Sequence, residues 1–207
     1  MQKNLFIAFE GIDGSGKSTQ VKLLADKLEA LGHQVYSTFE PTKSDIGKMI
    51  RTIFSGKMEA DHKVIAALFA ADRLDHLLNK TDGILKMLAA GYTVITDRYY
   101  FSSYAYHSVY MPMDWVIATN ALSADLLRPD MNIYIDVSPN ESMQRITKGR
   151  TSTELYETLE NLTNVKNLYQ QAFEKMKEVE NICIINGERS EADIAEDVWK
   201  SVATSFI

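Results

Sequence analysis

The chain has little cysteine, little positive charge and no long apolar run. Its 207 residues include one cysteine, Cys183, which excludes an internal disulfide and favours a reducing compartment. The formal net charge of −6 argues against a nucleic-acid polymer as partner, because such binding normally needs a basic face. No apolar run is long enough to span a bilayer, and the N-terminus lacks a signal-peptide pattern. We therefore expect no membrane partner and a cytoplasmic location. The acidic balance does not exclude small phosphorylated ligands, which need only a local positive pocket.

Several catalytic and cofactor motifs are missing as well. The glycine-rich segment is not G-x-G-x-x-G, which disfavours a nicotinamide cofactor, and no G-x-S-x-G nucleophile motif occurs. The histidines lack metal-ligand spacing, so we expect them at the surface or in helix caps: His33, His62, His76 and His107. No repeat, low-complexity tract or linker divides the chain, and we expect a single domain over residues 1–207.

One segment matches a phosphate-binding loop. Residues 11–18 read G-x-x-x-x-G-K-S, between an apolar strand over 5–9 and a helix that begins near Lys17. Glycines let backbone N–H groups turn towards a polyanion, and the helix N-terminus adds positive potential there. Lys17 can reach the outer phosphates, and the Ser18 hydroxyl can hold Mg²⁺. The predicted ATP-binding residues of this segment are Gly11, Ile12, Asp13, Gly14, Ser15, Gly16, Lys17, Ser18 and Thr19.

Strands and helices alternate along the whole chain. The sequence predicts strands over 5–9, 34–39, 92–96, 131–137 and 182–185. Amphipathic spacing predicts helices over 17–31, 61–79, 82–90, 102–109, 113–122, 153–179 and 191–202, one capped by Asp45 and one from Pro139. The alternation predicts an α/β three-layer sandwich, a five-stranded parallel sheet flanked by helices, of the P-loop NTPase type. Ligands then lie beyond the carboxyl ends of the strands, which collects the glycine loop, Glu40-Pro41, Asp97-Arg98 and Asp136.

Two further groups of charged residues lie at this predicted edge. Asp97 can orient Mg²⁺ or its waters, and Arg98 can grip a phosphate through two N–H groups; the alternative is a surface ion pair. Phe69 and Arg73, four residues apart on one helix face, can receive a base and its phosphate. The alternative for that pair, favoured by spacing alone, is a core phenylalanine beside a solvated arginine.

A basic stretch follows the fourth strand. Arg145, Lys148 and Arg150 can stabilise the charge of a phosphoryl group in transfer and exclude water, if their segment is mobile. A solvated helix end, where cations are favoured by the dipole, explains the same spacing equally well.

Several motifs together resemble the thymidylate kinase family of nucleoside monophosphate kinases. The similarity covers nearly the whole chain, and its most specific part is D-R-Y-Y-F-S-S-Y-A-Y at 97–106. The other matching segments are the loop over 9–20, Glu40-Pro41-Thr42, L-F-A-A-D-R at 68–73, and Arg128-Pro129-Asp130 before I-Y-I-D-V at 133–137. Two departures stand beside them: His107, where the family often has Gln or a small polar residue, and Glu154-Leu155-Tyr156-Glu157, where many members have D-R-x-E.

The resemblance implies an activity and its partners. It implies transfer of the γ-phosphoryl group of ATP to dTMP, giving ADP and dTDP, with Mg²⁺ held by Ser18 and Asp97 and with a homodimer as assembly. One alternative is a kinase for another monophosphate, such as dUMP, UMP or CMP. Another is a nucleotide-binding switch, which needs a guanine-reading N-K-x-D element; residues 79–82 match it, but between helices and not after a strand.

Residue roles also come from the resemblance. Phe69 is expected to stack on thymine, Arg73 and Arg98 to hold the acceptor phosphate, and Tyr106 to pack under the deoxyribose. The substrate-binding set is Asp13, Glu40, Phe69, Arg73, Arg98, Ser102, Ser103 and Tyr106. Positions 13–15 of the loop carry no basic residue, so the catalytic cation is expected in a lid near 145–156. Arg150 is the first candidate, with Arg145 or Lys148 next; Arg145 also joins the ATP-binding set, and the catalytic set is Lys17, Asp97, Arg98 and Arg150.

Overall fold

The strands form one parallel sheet at the centre of the fold. The computed structural model describes residues 4–149, 156 and 158–206. The strands are β1 (Phe6–Glu10), β2 (Val35–Phe39), β3 (Thr93–Asp97), β4 (Met131–Asp136) and β5 (Ile182–Asn186). They pair in the order β2-β3-β1-β4-β5, every pair parallel. This confirms the predicted five-stranded parallel sheet and places β1, with the glycine loop that follows it, in the middle.

Helices cover both faces of the sheet. They are α1 (Lys17–Ala30), α2 (Asp45–Phe54), α3 (His62–Leu78), α4 (Ile84–Ala89), α5 (Tyr100–His107), α6 (Met113–Thr119), α7 (Ala121–Leu126), α8 (Pro139–Gly149), α9 (Leu159–Met176) and α10 (Glu191–Ala203). Side chains of β1 alternate between the faces. Phe6 and Ala8 join the core against α3, α5 and α9, whereas Ile7 and Phe9 join the core against α1 and α10. The flanking layers of the sandwich are thereby confirmed.

Some helix boundaries differ from the expected ones. The prediction of a single helix over 113–122 is wrong, because the helix is interrupted at Asn120, between α6 and α7. The buried Asn120 amide donates to the Val116 carbonyl (2.8 Å) and its oxygen accepts from Arg73. Ser44, not Asp45, caps α2 by accepting from the Gly47 amide (3.1 Å). The predicted start of the long helix at 153 lies outside the described residues, and α9 begins after the cap Thr158.

The expectation that the histidines lie at the surface or in helix caps is wrong for two of them. His76 and His107 are buried rather than at the surface, at 6% and 3% exposure. Cys183 is half-buried beside the Ser201 hydroxyl, 3.2 Å away. Within the described residues, none of the helices has the length and hydropathy that a membrane crossing needs.

Candidate active site

The glycine loop lies at the carboxyl end of β1. Gly11 has φ 148°, and a Cβ there would come within 2.7 Å of the Ser15 Oγ and 2.9 Å of the Ile135 carbonyl, so only glycine fits. Lys17 folds over its own loop and donates to the Ile12 carbonyl (3.0 Å). Burial, and then the nearby Arg98 charge, lower the pKa of Lys17 to about 8. The loop thus presents a desolvated ammonium group that a phosphate would stabilise.

The Ser18 hydroxyl and the Asp97 carboxylate lie side by side at the glycine loop. Ser18 lies in the first turn of α1, and Asp97 ends β3, which pairs directly with β1. The Ser18 hydroxyl donates to the Asp97 carboxylate at 2.5 Å. One hydroxyl and one carboxylate suit Mg²⁺, which usually completes its octahedron with water and substrate phosphates. Among the described residues no cluster of three or more His, Cys, Asp or Glu competes as a metal site.

Arg98 lies directly after Asp97 with an unusual backbone. Its φ is +76°, a left-handed conformation that costs a non-glycine residue on the order of 1–3 kcal/mol unless its neighbours hold it. The Arg98 amide donates to the Phe9 carbonyl (2.9 Å), and its carbonyl accepts from the Thr96 hydroxyl (2.9 Å). Its guanidinium donates to the Ser102 hydroxyl (2.9 Å) and pairs with the Asp13 carboxylate. The turn therefore aims the guanidinium back at the loop.

Asp13, Arg98 and Tyr106 form one hydrogen-bonded group. The Tyr106 hydroxyl donates to the Asp13 carboxylate (2.8 Å) and accepts from the Asp13 amide (3.0 Å). Burial opposes ionisation of Asp13, but Arg98, Lys17 and the Tyr106 hydroxyl outweigh it, so the pKa of Asp13 lies below its ordinary value. Burial and the Asp13 charge raise the pKa of Tyr106 well above its usual range. At neutral pH this group is an ion pair with a protonated phenol.

Two cavities meet at Asp13 and Arg98. The phosphate-loop cavity has a volume of about 1030 Å³ and contains the loop, Ser18 and Asp97. The aromatic cavity has a volume of about 590 Å³. Its lining is Asp13, Phe39, Pro41, Arg51, Phe54, Ser55, Phe69, Arg98, Ser102, Ser103, Tyr106, His107 and Tyr156. Asp13, Phe39 and Arg98 line both cavities, which places an anion pocket beside an aromatic pocket.

Arg73 lies behind the aromatic cavity. Its side chain is 1% exposed and pairs with the equally buried Glu40 through Nε (2.9 Å) and Nη2 (2.6 Å). Its Nη1 donates to the Ser103 hydroxyl (3.0 Å) and to Asn120. Arg73 is not among the lining residues of either cavity, whereas Ser103 lines the aromatic one. Ser103 therefore stands between the Arg73 guanidinium and the aromatic cavity.

Comparison with known proteins identifies the family. The family model for thymidylate kinase matches residues 9–198. A probable thymidylate kinase of Pyrococcus horikoshii is 39% identical over 202 residues, 95% of this chain and 94% of the relative. A probable thymidylate kinase of Methanococcus aeolicus is 36% identical over 203 residues, 96% of each chain. The chain belongs to the thymidylate kinase family.

Most of the residues predicted for a thymidylate kinase lie together. Residues 13–19 and Arg145 line the phosphate-loop cavity, where Arg145 donates to the Ser15 carbonyl (3.3 Å) and the Gly187 carbonyl (2.9 Å). Gly11 and Ile12, the first two residues of the loop, are buried. Glu40 lines the phosphate-loop cavity and faces Arg73, while Lys148 lies exposed near the end of α8. Arg150 lies outside the described residues, as does half of the lid segment near 145–156, residues 150–155.

Other parts of the site were not anticipated. Two side chains of α2 that no motif singled out, Arg51 and Phe54, line the aromatic cavity. Tyr156 also lines it, from the segment 154–157 where the sequence departs from the family pattern. Arg51 donates to the Pro41 carbonyl (2.8 Å), which ties α2 to the loop after β2. Conversely, the N-K-x-D match at 79–82 forms the turn between α3 and α4 and does not follow a strand, as a guanine-reading element would.

Proposed function

We propose that this protein transfers the γ-phosphoryl group of ATP to dTMP, giving ADP and dTDP for dTTP synthesis. The observation that carries the proposal is the meeting of the phosphate-loop and aromatic cavities at Asp13 and Arg98. A donor phosphate and an acceptor phosphate placed in these cavities meet at one guanidinium. Phosphoryl transfer needs this positioning and charge neutralisation more than covalent chemistry. The family membership supports the choice of dTMP over other monophosphates.

On the donor side, the loop amides and Lys17 bind the outer phosphates. The Lys17 ammonium would exchange its Ile12 carbonyl for phosphate oxygens, because a hydrogen bond to a charged acceptor is stronger than one to a neutral carbonyl. Ser18 and Asp97 would hold Mg²⁺, which supplies neutralisation of phosphate charge when bound. A catalytic role in the lid for Arg150, or otherwise for Arg145 or Lys148, stays a prediction.

On the acceptor side, Arg98 binds the phosphate and Phe69 stacks on the base. The Phe69 ring lies 5.8 Å from the ring of Phe54 and 5.1 Å from that of His107, so one apolar wall is already built. Tyr106, held by Asp13, packs under the deoxyribose, where a 2′-hydroxyl would be crowded. Ser102 and Ser103 line the base pocket, and we propose that Arg73 acts on it through Ser103.

The test is ADP formation with ATP, Mg²⁺ and a panel of acceptors: dTMP, dUMP, UMP, CMP, dGMP and AMP. We expect strong selectivity for dTMP and loss of turnover in Lys17→Ala. Turnover with a different pyrimidine monophosphate would overturn the choice of base. Full turnover in Lys17→Ala, or no turnover with any acceptor, would overturn the kinase assignment.

The proposal includes an assembly and a location. Apolar side chains on α3 and α7, which pack together, are more than half exposed: Leu78 at 54% and Leu122 at 65%. Such a surface supports a homodimer through these helices. The single cysteine supports a cytoplasmic location, and the net charge of −6 supports small nucleotides rather than nucleic acid as partners.

A further inference from the structure

A carboxylate with no assigned role lies directly behind Arg98. Glu10 ends β1 and is fully buried. Its Oε1 accepts from the Tyr99 amide (2.9 Å), and its Oε2 accepts from the Ser102 hydroxyl (2.6 Å) and the Tyr169 hydroxyl (2.9 Å). We propose that Glu10 is a positioning residue that holds Arg98 in the conformation that receives the acceptor phosphate.

Glu10 acts first on the backbone of Arg98. The Tyr99 amide belongs to the peptide group that follows Arg98, so its bond to Glu10 fixes the exit from the left-handed residue. The Phe9 carbonyl fixes the entry by accepting from the Arg98 amide (2.9 Å). Two neighbouring residues of β1 thus hydrogen-bond the peptide groups on both sides of Arg98 and hold it in a conformation that arginine rarely adopts. Removing the hydrogen bond from the Tyr99 amide to Glu10 lets the backbone of Arg98 leave the left-handed conformation, which turns the guanidinium away from the loop.

Glu10 acts secondly on the guanidinium, through Ser102. A serine hydroxyl has one proton to donate, and here that proton goes to Glu10. A lone pair of the Ser102 oxygen is therefore left for the Arg98 guanidinium, 2.9 Å away. Burial raises the pKa of Glu10, while Ser102, Arg98 and Tyr169 oppose that rise by stabilising the anion. The carboxylate and the guanidinium thus support each other's charge across one hydroxyl.

A glutamine at this position cannot reproduce the pattern. If its amide oxygen faces Ser102 and Tyr169, its NH₂ group meets the Tyr99 N–H, donor against donor. If the amide is flipped, its NH₂ group competes with Arg98 for the Ser102 oxygen. Glu10→Gln keeps the side-chain shape, so the change isolates charge and hydrogen-bond polarity.

The chain offers a matched control in Glu180. This carboxylate is also fully buried and accepts from Tyr100 (2.7 Å), Arg128 (2.5 Å) and Asn132 (3.2 Å). None of these partners lines either cavity. Glu180→Gln therefore reports the general effect of neutralising a buried, hydrogen-bonded carboxylate in this fold.

The experiment measures binding of dTMP, thymidine and ATP, each alone, by titration calorimetry. The inference rests on the proposed function, in which Arg98 binds the phosphate of dTMP. We expect Glu10→Gln to weaken dTMP binding about tenfold or more, because a charge-assisted contact is lost. Thymidine lacks the phosphate, and ATP is bound mainly by the loop amides and Lys17. The dissociation constants of both should therefore change less than twofold. Glu180→Gln should leave all three dissociation constants within twofold of the unmodified protein.

Distinct results overturn the inference and the function. The inference fails if Glu10→Gln binds dTMP as well as the unmodified protein, or loses dTMP and thymidine equally. If Glu10→Gln does not fold, Tyr169→Phe removes one Glu10 partner and should still weaken dTMP selectively; equal binding would overturn the inference. The proposed function itself fails if the unmodified protein binds dTMP no better than thymidine.

Discussion

Raising the pH should weaken ATP binding through Lys17 alone. The pKa of Lys17 is lowered to about 8 by burial and by Arg98, and phosphates bind the ammonium form. A lowered pKa means that the proton leaves as the pH rises through about 8, so affinity is full below that value and falls above it. Asp13 is ionised well below this range, while the pKa values of Tyr106 and Arg98 lie above it. Of these four groups at the loop, Lys17 alone changes charge between pH 7 and 9.

The size of the effect follows from the pKa. With a pKa of about 8, roughly 91% of Lys17 is protonated at pH 7 and roughly 9% at pH 9, so the ATP dissociation constant rises about tenfold, or about 1.4 kcal/mol. With the ordinary value of 10.5 the same interval would change it by only about 3%. Binding at pH 8 should also take up about half a proton, since the bound phosphates restore the ammonium.

The assay is titration calorimetry with ATP at pH 7, 8 and 9, in EDTA and in two buffers of different ionisation enthalpy. The dissociation constant gives the affinity change, and the buffer dependence gives the proton uptake. Lys17→Met is the control, and its weak binding should vary little over the same range. A dissociation constant for the unmodified protein that stays within twofold from pH 7 to 9, without proton uptake, would refute the reasoning.

Substitutions at three positions, two of them with a comparison variant, test the acceptor side and the assembly. Phe69→Leu should raise the KM for dTMP about five- to thirtyfold by removing roughly 1–2 kcal/mol of base stacking, with the KM for ATP unchanged in initial-rate kinetics. Tyr106→Phe should lower kcat/KM for dTMP about tenfold, because it removes the hydrogen bonds to Asp13, yet keep rejection of UMP, which Tyr106→Ala should relax. Leu122→Glu should convert the dimer to monomers, as measured by sedimentation. Leu31→Glu, which changes another exposed leucine at the end of α1, should leave the dimer intact. Equal sedimentation of the two variants would contradict the α3–α7 interface.

The sheet and the phosphate loop could be predicted because their signals are local. Each strand is a segment of five or six residues rich in β-branched and aromatic side chains, and the loop has fixed spacing from Gly11 to Ser18. The break at Asn120 could not be predicted in this way. Helical spacing continues across it, and what ends α6 is the side chain of Asn120 turning to Arg73, 47 residues away in sequence.

The same distinction explains what was missed at the site. Motif matching brought Asp13, Arg98 and Tyr106 together, because each lies in a segment of recognisable spacing. Glu10 lies inside the matched loop segment, but the positioning role proposed for it depends on a hydrogen bond from Tyr169. That tyrosine lies 159 residues away on α9 and belongs to no motif. Buried hydrogen-bond partners of this kind are set by tertiary packing, and a single sequence does not reveal them.

An acidic chain can bind two polyanions because its cations are held by nearby carboxylates. Arg98 faces Asp13 directly and Glu10 across Ser102, and Arg73 faces Glu40. Paired in this way, the guanidinium groups keep their charge and orientation despite burial, and they need little reorganisation when phosphates arrive. Asp13 stands where the two cavities meet, so an acceptor phosphate would share Arg98 with it rather than meet a bare cation. Net charge therefore says little about this site, whereas the placement of each carboxylate decides where a phosphate can be held.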